Sequence, residues 1–235
     1  SRHIVAGFAD PGVVSVFGSY DDAPDAKSFL SQYKNLVHRY YHQRGQADAS
    51  TFWAGCGAVR RDVFLELGGF DTERYPYPSI EDIELGERIV QSGGRIRLLP
   101  ELQGKHLKEW RLGNLVHTEI FRRAIPWSRL MLAKGELTDD LNVSTGERIR
   151  AIAAGLFLLV VFAVVAGWLN WIAIPLLLTV LVVLNLDFIR FFIKQHGLLF
   201  ALGAFAYHQF YYLYSMAAFA YAWMEHRFKA KERYT

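Results

Sequence analysis

The chain has 235 residues, 52% of them hydrophobic, with 26 Lys and Arg against 23 Asp and Glu for a formal net charge of +3. That charge is too small to point to nucleic acid, and a single cysteine, Cys56, excludes an intrachain disulfide. A length of this order suits one or two domains, and the composition divides near Thr145, with globular alternation before it and nearly unbroken apolar sequence after it.

In chain order, Arg2 to Ala9 reads as the end of a helix stopped by Asp10-Pro11-Gly12. Val13 to Gly18 is a β-branched run ending in a polar loop, hence a buried strand. Phe29, Leu30, Tyr33, Leu36, Val37, Tyr40 and Tyr41 recur at helical spacing within Ala26 to Arg44. Phe52 to Val59 returns to strand, and Cys56 within it reads as a small packing residue, since no positioned His and Asn accompany it as they would a nucleophile. Arg61 to Leu67 is a helix closed by Gly68-Gly69. Ser79 to Gln91 is a second helix ending at Gly93-Gly94, followed by two short strands, Arg95 to Leu99 and Leu102 to His106, on either side of Pro100. Strands alternating with helices predict a layered α/β domain.

From Gly113 to Lys134, Leu115, Ile120, Phe121, Ile125, Trp127, Leu130 and Leu132 are set among Arg122, Arg123, Arg129 and Lys134. Between Lys105 and Lys134, seven Lys or Arg face two Glu, a balance that suits the headgroup layer of an anionic membrane. Taken alone the segment also fits a surface helix with a solvated basic face, but the apolar sequence downstream favours the interface. Ala151 to Leu186 holds no charged residue over 36 positions. As one helix that run would extend about 54 Å, against a hydrocarbon core of about 30 Å. A hairpin of two spans is predicted, broken at Gly167-Trp168-Leu169-Asn170-Trp171, with Pro175 near the start of the second span. Arg148 and Arg150 before it, and Arg190 and Lys194 after it, place the globular part in the cytoplasm. A third uncharged run, Leu198 to Met224, is long enough to cross but carries His208, Gln209 and a cluster of tyrosines. Crossing would put Arg227, Lys229, Lys231 and Arg233 outside, against the positive-inside tendency, so a re-entrant or interfacial path is the alternative.

The order Phe52-Trp53-Ala54-Gly55-Cys56-Gly57, then Gly68-Gly69-Phe70-Asp71, then Glu81-Asp82 opening a helix resembles the acceptor side of family 2 glycosyltransferases over roughly residues 7 to 110. The resemblance implies an α/β fold class: a partial GT-A, Rossmann-like domain over residues 1–112, an amphipathic interfacial helix and linker over 113–146, and a transmembrane region of two or three helices over 147–235. It implies a membrane-bound inverting hexosyltransferase, with a nucleotide-sugar donor, a lipid-linked or glycan acceptor and contact with membrane lipids, seated in a bacterial inner membrane. The family's Asp-x-Asp, which holds Mg or Mn and the sugar diphosphate, is expected in an amino-terminal half ahead of Ser1, so these residues alone are expected to be inactive. The oligomeric state is left open.

By that resemblance Asp82 is the catalytic base and Glu81 shapes the acceptor pocket. The tetrapeptide Ser79-Ile80-Glu81-Asp82 is equally close to a capping box that would make both acids structural. Gly55 and Gly57 would let a substrate approach the backbone and Trp53 would stack on a sugar, or the three form a bulged strand around a core Trp. Tyr20 and Asp22 line an acceptor loop or cap the following helix. His106 matches a position where the family places a histidine near the metal, although a lone His is commonly structural. Trp110 and Arg111 fall where processive synthases carry Arg-Trp, but the order is reversed and the accompanying glutamine is missing, which speaks against polymer synthesis. Two rivals therefore stand beside the single-sugar transferase: a processive polysaccharide synthase, and a non-catalytic membrane scaffold that lacks the donor half.

Overall fold

The computed structural model describes residues 2–232, with side chains through residue 228. A small mixed sheet is surrounded by helices, and the helical content dominates. Strand β1 (Val13–Tyr20) is central, parallel to β4 (Arg95–Gly104) on one side and antiparallel to β3 (Gly57–Val59) on the other; β2 (Asp48–Ala49) adds to the far edge of β4, giving the order β2-β4-β1-β3. Because β1 is covered on both faces, it reads as a continuous apolar run rather than an alternation. Phe17 points toward Phe52, Ile96, Leu98 and the helix α4 (Glu81–Gln91), whereas Val13 and Val16 pack with Leu99 and Leu102 beneath α1 (Arg2–Gly7).

The two strands expected around Pro100 are one strand. The register jumps from Phe17↔Leu98 to Ser19↔Gln103, so the residues around Pro100 bulge out of the ladder. Gly18 faces that bulge, where a Cβ would lie 1.8 Å from the Leu102 carbonyl oxygen. The expected strand Phe52 to Val59 is also shorter than read: Ala54–Cys56 is a 3-10 turn and only Gly57–Val59 pairs. The reason is local. A Cβ on Gly55 would stand 2.4 Å from the Trp53 indole, and one on Gly57 2.6 Å from the Phe52 ring. The glycines let the chain fold back over its own aromatic side chains.

Helix α3 (Arg61–Glu66) ends as expected at Gly68 and Gly69, both with positive φ. Arg88 of α4 then donates to the Leu67 and Gly69 carbonyls while pairing with Glu84, which ties this turn to α4. Helix α2 (Phe29–His42) lies between the sheet and the apolar carboxy-terminal region. Its Tyr33, Leu36, Val37 and Tyr40 share one core with Phe188, Phe192, Ala201 and Ala204.

The segment expected as an interfacial helix is α5 (Leu112–His117), a π-helical stretch (Thr118–Ala124) and α6 (Ile125–Lys134). Its apolar side does not face outward. Leu115, Ile125, Trp127, Leu130 and Met131 are buried, the last three around Ile80, and Leu112 and Phe121 are the large apolar residues left exposed there. Amphipathic spacing cannot tell lipid from protein as the partner of an apolar face, and here protein covers it.

The apolar hairpin breaks where expected: α7 (Thr145–Val165) ends at Gly167, with φ of 77°, and α8 (Ala173–Leu184) carries Pro175 in its first turn. Trp168 and Trp171 at the tip are 75% and 67% exposed, as a water–lipid boundary favours. The rest is α9 (Leu186–Glu232), interrupted at Gly197. Two helices, α7 and Leu186–Phe228 of α9, are long and apolar enough to cross a membrane. Yet α9 touches the globular part along its length: Phe188 packs on Tyr40, His208 meets Tyr33 and Tyr41, and Glu225 pairs with Arg129 at 2.7 Å. The side chains of Lys229 and Lys231, and Arg233 entirely, lie outside the described residues.

Candidate functional site

Asp82 sits in the first turn of α4 with its carboxylate held from two sides. Oδ1 accepts the Ile83 N–H at 2.9 Å and Oδ2 accepts the Ala54 N–H at 3.0 Å. The first contact is the helix-end role that the sequence allowed. The second carries the carboxylate across to the glycine turn. Gly86 permits this closeness, because a Cβ there would lie 2.5 Å from the Phe52 backbone nitrogen. The capping box does not form: Ile80 is the N-cap, and the Ser79 hydroxyl donates to the Arg122 carbonyl at 2.6 Å. Glu81 turns back to accept the Ser79 N–H at 2.6 Å.

Tyr20, Trp53 and the pair His106 and Trp110, from three separate segments, come together. Tyr20 meets Trp53 edge-on at 4.7 Å and His106 at 4.6 Å between ring centroids, and His106 stacks on Trp110 at 6.1 Å. Gly55 and Gly57 shape the Trp53 turn from behind. Asp22 and Arg111 are not drawn in. The Asp22 carboxylate is 56% exposed and 3.9 Å from Arg39, and Arg111 is turned outward beside Glu109.

Sequence reasoning missed five residues that complete this wall. Lys34, His38 and His42 lie at four-residue intervals on α2, a polar stripe on a helix read only for its apolar positions. His38 and His42 face Trp53 at 5.9 and 4.9 Å. Glu119 and Arg123 come from the π-helical stretch, an irregularity that often marks function. Glu119 accepts Lys34 at 2.9 Å and Arg123 at 3.3 Å, and Arg123 donates to His38 Nε2 at 3.0 Å. That last bond places the His38 proton on Nδ1.

Burial raises the Asp82 pKa, the Ala54 N–H opposes that, and the neighbouring Glu81 charge adds to it. Burial likewise keeps the imidazoles neutral: His38 falls well below the usual range, helped by Lys34 and Arg123, and His42 and His106 fall to about 4. Burial brings Lys34 down to about 8, against the pull of Glu119. Burial would raise Glu119, but Lys34 and Arg123 outweigh it and hold the carboxyl ionised.

His106 Nδ1 is buried with no hydrogen-bond partner among the described residues. Among the described residues no group of three His, Cys, Asp or Glu side chains assembles as a metal-holding set.

Asp82, Trp53, Lys34, His38, His42, Glu119 and Arg123 line a cavity of about 560 Å3, within the range of about 300–1,000 Å3 typical of small-molecule sites, while Tyr20, His106 and Trp110 stand behind Trp53 rather than in the lining. The cavity runs between α2, α6, α7 and α9, past Glu147, to an apolar end at Ile152, Met216 and Phe219. Glu147 is fully engaged. It accepts the Tyr41 and Tyr212 hydroxyls at 2.7 and 2.6 Å and pairs with Arg150. Since Tyr41 gives its proton to Glu147, His208 must donate to Tyr41 from Nε2, at 3.1 Å, and accept from Tyr33 at Nδ1, at 2.7 Å. The arrangement thus offers one carboxylate beside an aromatic wall and, deeper, one that is closed off. No protein-family model, curated protein or solved structure matches the chain.

Proposed function

We propose that the chain is the acceptor-side part of a membrane-bound inverting glycosyltransferase, moving a sugar from a nucleotide sugar to a membrane-associated acceptor. The observation that carries this reading is the placement of Asp82: a carboxylate fixed by two backbone N–H groups, at the rim of a cavity that continues down to apolar helices. Rigid holding of this kind is what in-line proton removal needs. Asp82 takes the proton of the acceptor hydroxyl as that oxygen forms its bond to the anomeric carbon. The bond from that carbon to the diphosphate oxygen breaks, and the nucleotide diphosphate leaves with the electron pair. Burial raises the Asp82 pKa, which makes its carboxylate a stronger base than a solvated aspartate. Trp53 and Tyr20 offer ring faces and edges against which a sugar can lie. Lys34, Arg123 and His38 stiffen that wall. A divalent cation, Mg or Mn, would neutralise charge on the departing diphosphate; His106 is the residue here that would reach toward it.

The test is nucleotide release from common nucleotide sugars by membranes carrying the complete protein, beside Asp82→Asn. Metal-dependent release that disappears in the variant supports the reading; equal release in both removes Asp82 from the chemistry.

A further inference from the structure

The cavity that begins at Asp82 has an electrostatic character that selects among membrane acceptors. Its lining includes three cations, Lys34, Arg123 and Arg148, and three carboxylates, Asp82, Glu119 and Glu147. Each cation is already engaged within the protein. Lys34 and Arg123 converge on Glu119, and Arg148 donates to the Thr138 carbonyl beside Asp139. With three cations against three carboxylates the lining is balanced before a ligand arrives, so a phosphate beside Asp82 would add negative charge beyond that balance, in a setting that screens charge poorly. The unpartnered buried groups are of the other kind. The lining residues His38 and Trp127 hold Nδ1 and Nε1 atoms with no hydrogen-bond partner among the described residues, and Trp127 is 8% exposed. Both are uncharged donors waiting for an acceptor oxygen. Deeper still, Ile152, Met216, Phe219 and Ala220 give the cavity an apolar floor between α7 and α9.

We infer that this cavity binds the head of an uncharged, hydroxyl-bearing lipid, a diglyceride or a glycosyl diglyceride, with its hydroxyl at Asp82, its oxygens on His38 and Trp127, and an acyl chain along Ile152 and Phe219. Glycosyl transfer to that hydroxyl rests on the function proposed above; occupancy of the cavity by the lipid does not. The catalytic corollary is consistent, since a hydroxyl needs a base to give up its proton whereas a lipid phosphate is already ionised.

The test is photo-labelling of the full protein in phosphatidylcholine nanodiscs with a diglyceride bearing a diazirine on one acyl chain, the labelled peptides being mapped by mass spectrometry. Labelling is expected in α7 near Ile152 or in α9 near Met216 to Ala220. Excess dioleoylglycerol or a hexosyl diglyceride should reduce it about tenfold, the stronger competitor identifying which of the two heads the site prefers. Ala220→Trp, which fills the floor, should reduce it comparably. Trp127→Phe, which keeps the packing and removes one donor, should weaken retention about fivefold. Polyprenyl phosphate at the same excess should change it less than twofold. Displacement by polyprenyl phosphate as strong as that by the neutral lipids, or labelling that ignores Trp127→Phe and Ala220→Trp alike, overturns the inference. If polyprenyl phosphate wins while nucleotide release still depends on Asp82, the acceptor assignment fails and the transferase stands. If neutral lipids win and no nucleotide is released, the site stands and the transferase fails.

Discussion

Asp82 and Glu147 are two carboxylates facing one cavity, and their surroundings differ in kind. Glu147 receives two tyrosine hydroxyls and an arginine, so its acceptor positions are filled from side chains on α2, α7 and α9. Asp82 receives only backbone N–H groups, which fix its direction without closing its outer face. Saturated partnering makes a structural acid that joins helices, and partial partnering makes one that can still take a proton. Residue type alone does not separate the two.

The contrast is broken most directly by substitution at both ends. Asp82→Asn keeps an oxygen for the Ala54 N–H and, on the proposed function, should lower turnover by about 10²–10⁴-fold, the usual worth of a general base. Its amide nitrogen then faces the Ile83 N–H, so a modest loss of stability, about 1 kcal/mol, accompanies the substitution. Burial, which raises the Asp82 pKa, works in the other direction, since Asn carries no charge to desolvate. Next in size, Glu147→Ala leaves Arg150 without its carboxylate and two buried hydroxyls without their acceptor. A loss of about 3–5 kcal/mol is expected in thermal or denaturant unfolding in detergent.

Acid should expose the imidazole wall. His42 is buried with a pKa of about 4, below the value of about 6.5 in an unfolded chain, so between those values the unfolded state binds a proton that the folded state refuses. Stability is then full above about pH 6.5 and falls as pH drops toward 4, by roughly 3 kcal/mol from this residue. His42→Gln should flatten that part of the pH–stability curve, and an unchanged slope would deny the burial. The smallest effect concerns placement: Gly86→Ala drives a Cβ toward the Phe52 backbone and should cost about 1–3 kcal/mol, with a loss of turnover as Asp82 shifts from Ala54.

Much of the frame was readable in the chain. Apolar periodicity located α2, Gly93-Gly94 the end of α4, Gly68-Gly69 the end of α3, and Gly167 the hairpin break. Strand readings failed where side chains acted on their own backbone, as with Trp53 over Gly55, or where a bulge let Pro100 remain inside one strand. At the site, Asp82, Trp53, Tyr20, His106 and Trp110 were legible as residue types in suggestive places. Glu119, Arg123 and Glu147 were not, because their roles depend on partners brought together only by folding. Tyr41 and Glu147 are 106 residues apart. The stripe Lys34, His38, His42 carried a usable signal, polar residues four apart on a helix whose apolar face was already taken.

The most direct measurement compares nucleotide release per folded molecule for Asp82→Asn and Glu147→Gln in the complete protein, with folding followed on the same samples. The account predicts a folded, inactive Asp82 variant and a less stable Glu147 variant whose remaining folded molecules turn over. An active Asp82→Asn, or a stable Glu147→Gln that has lost turnover, would contradict it.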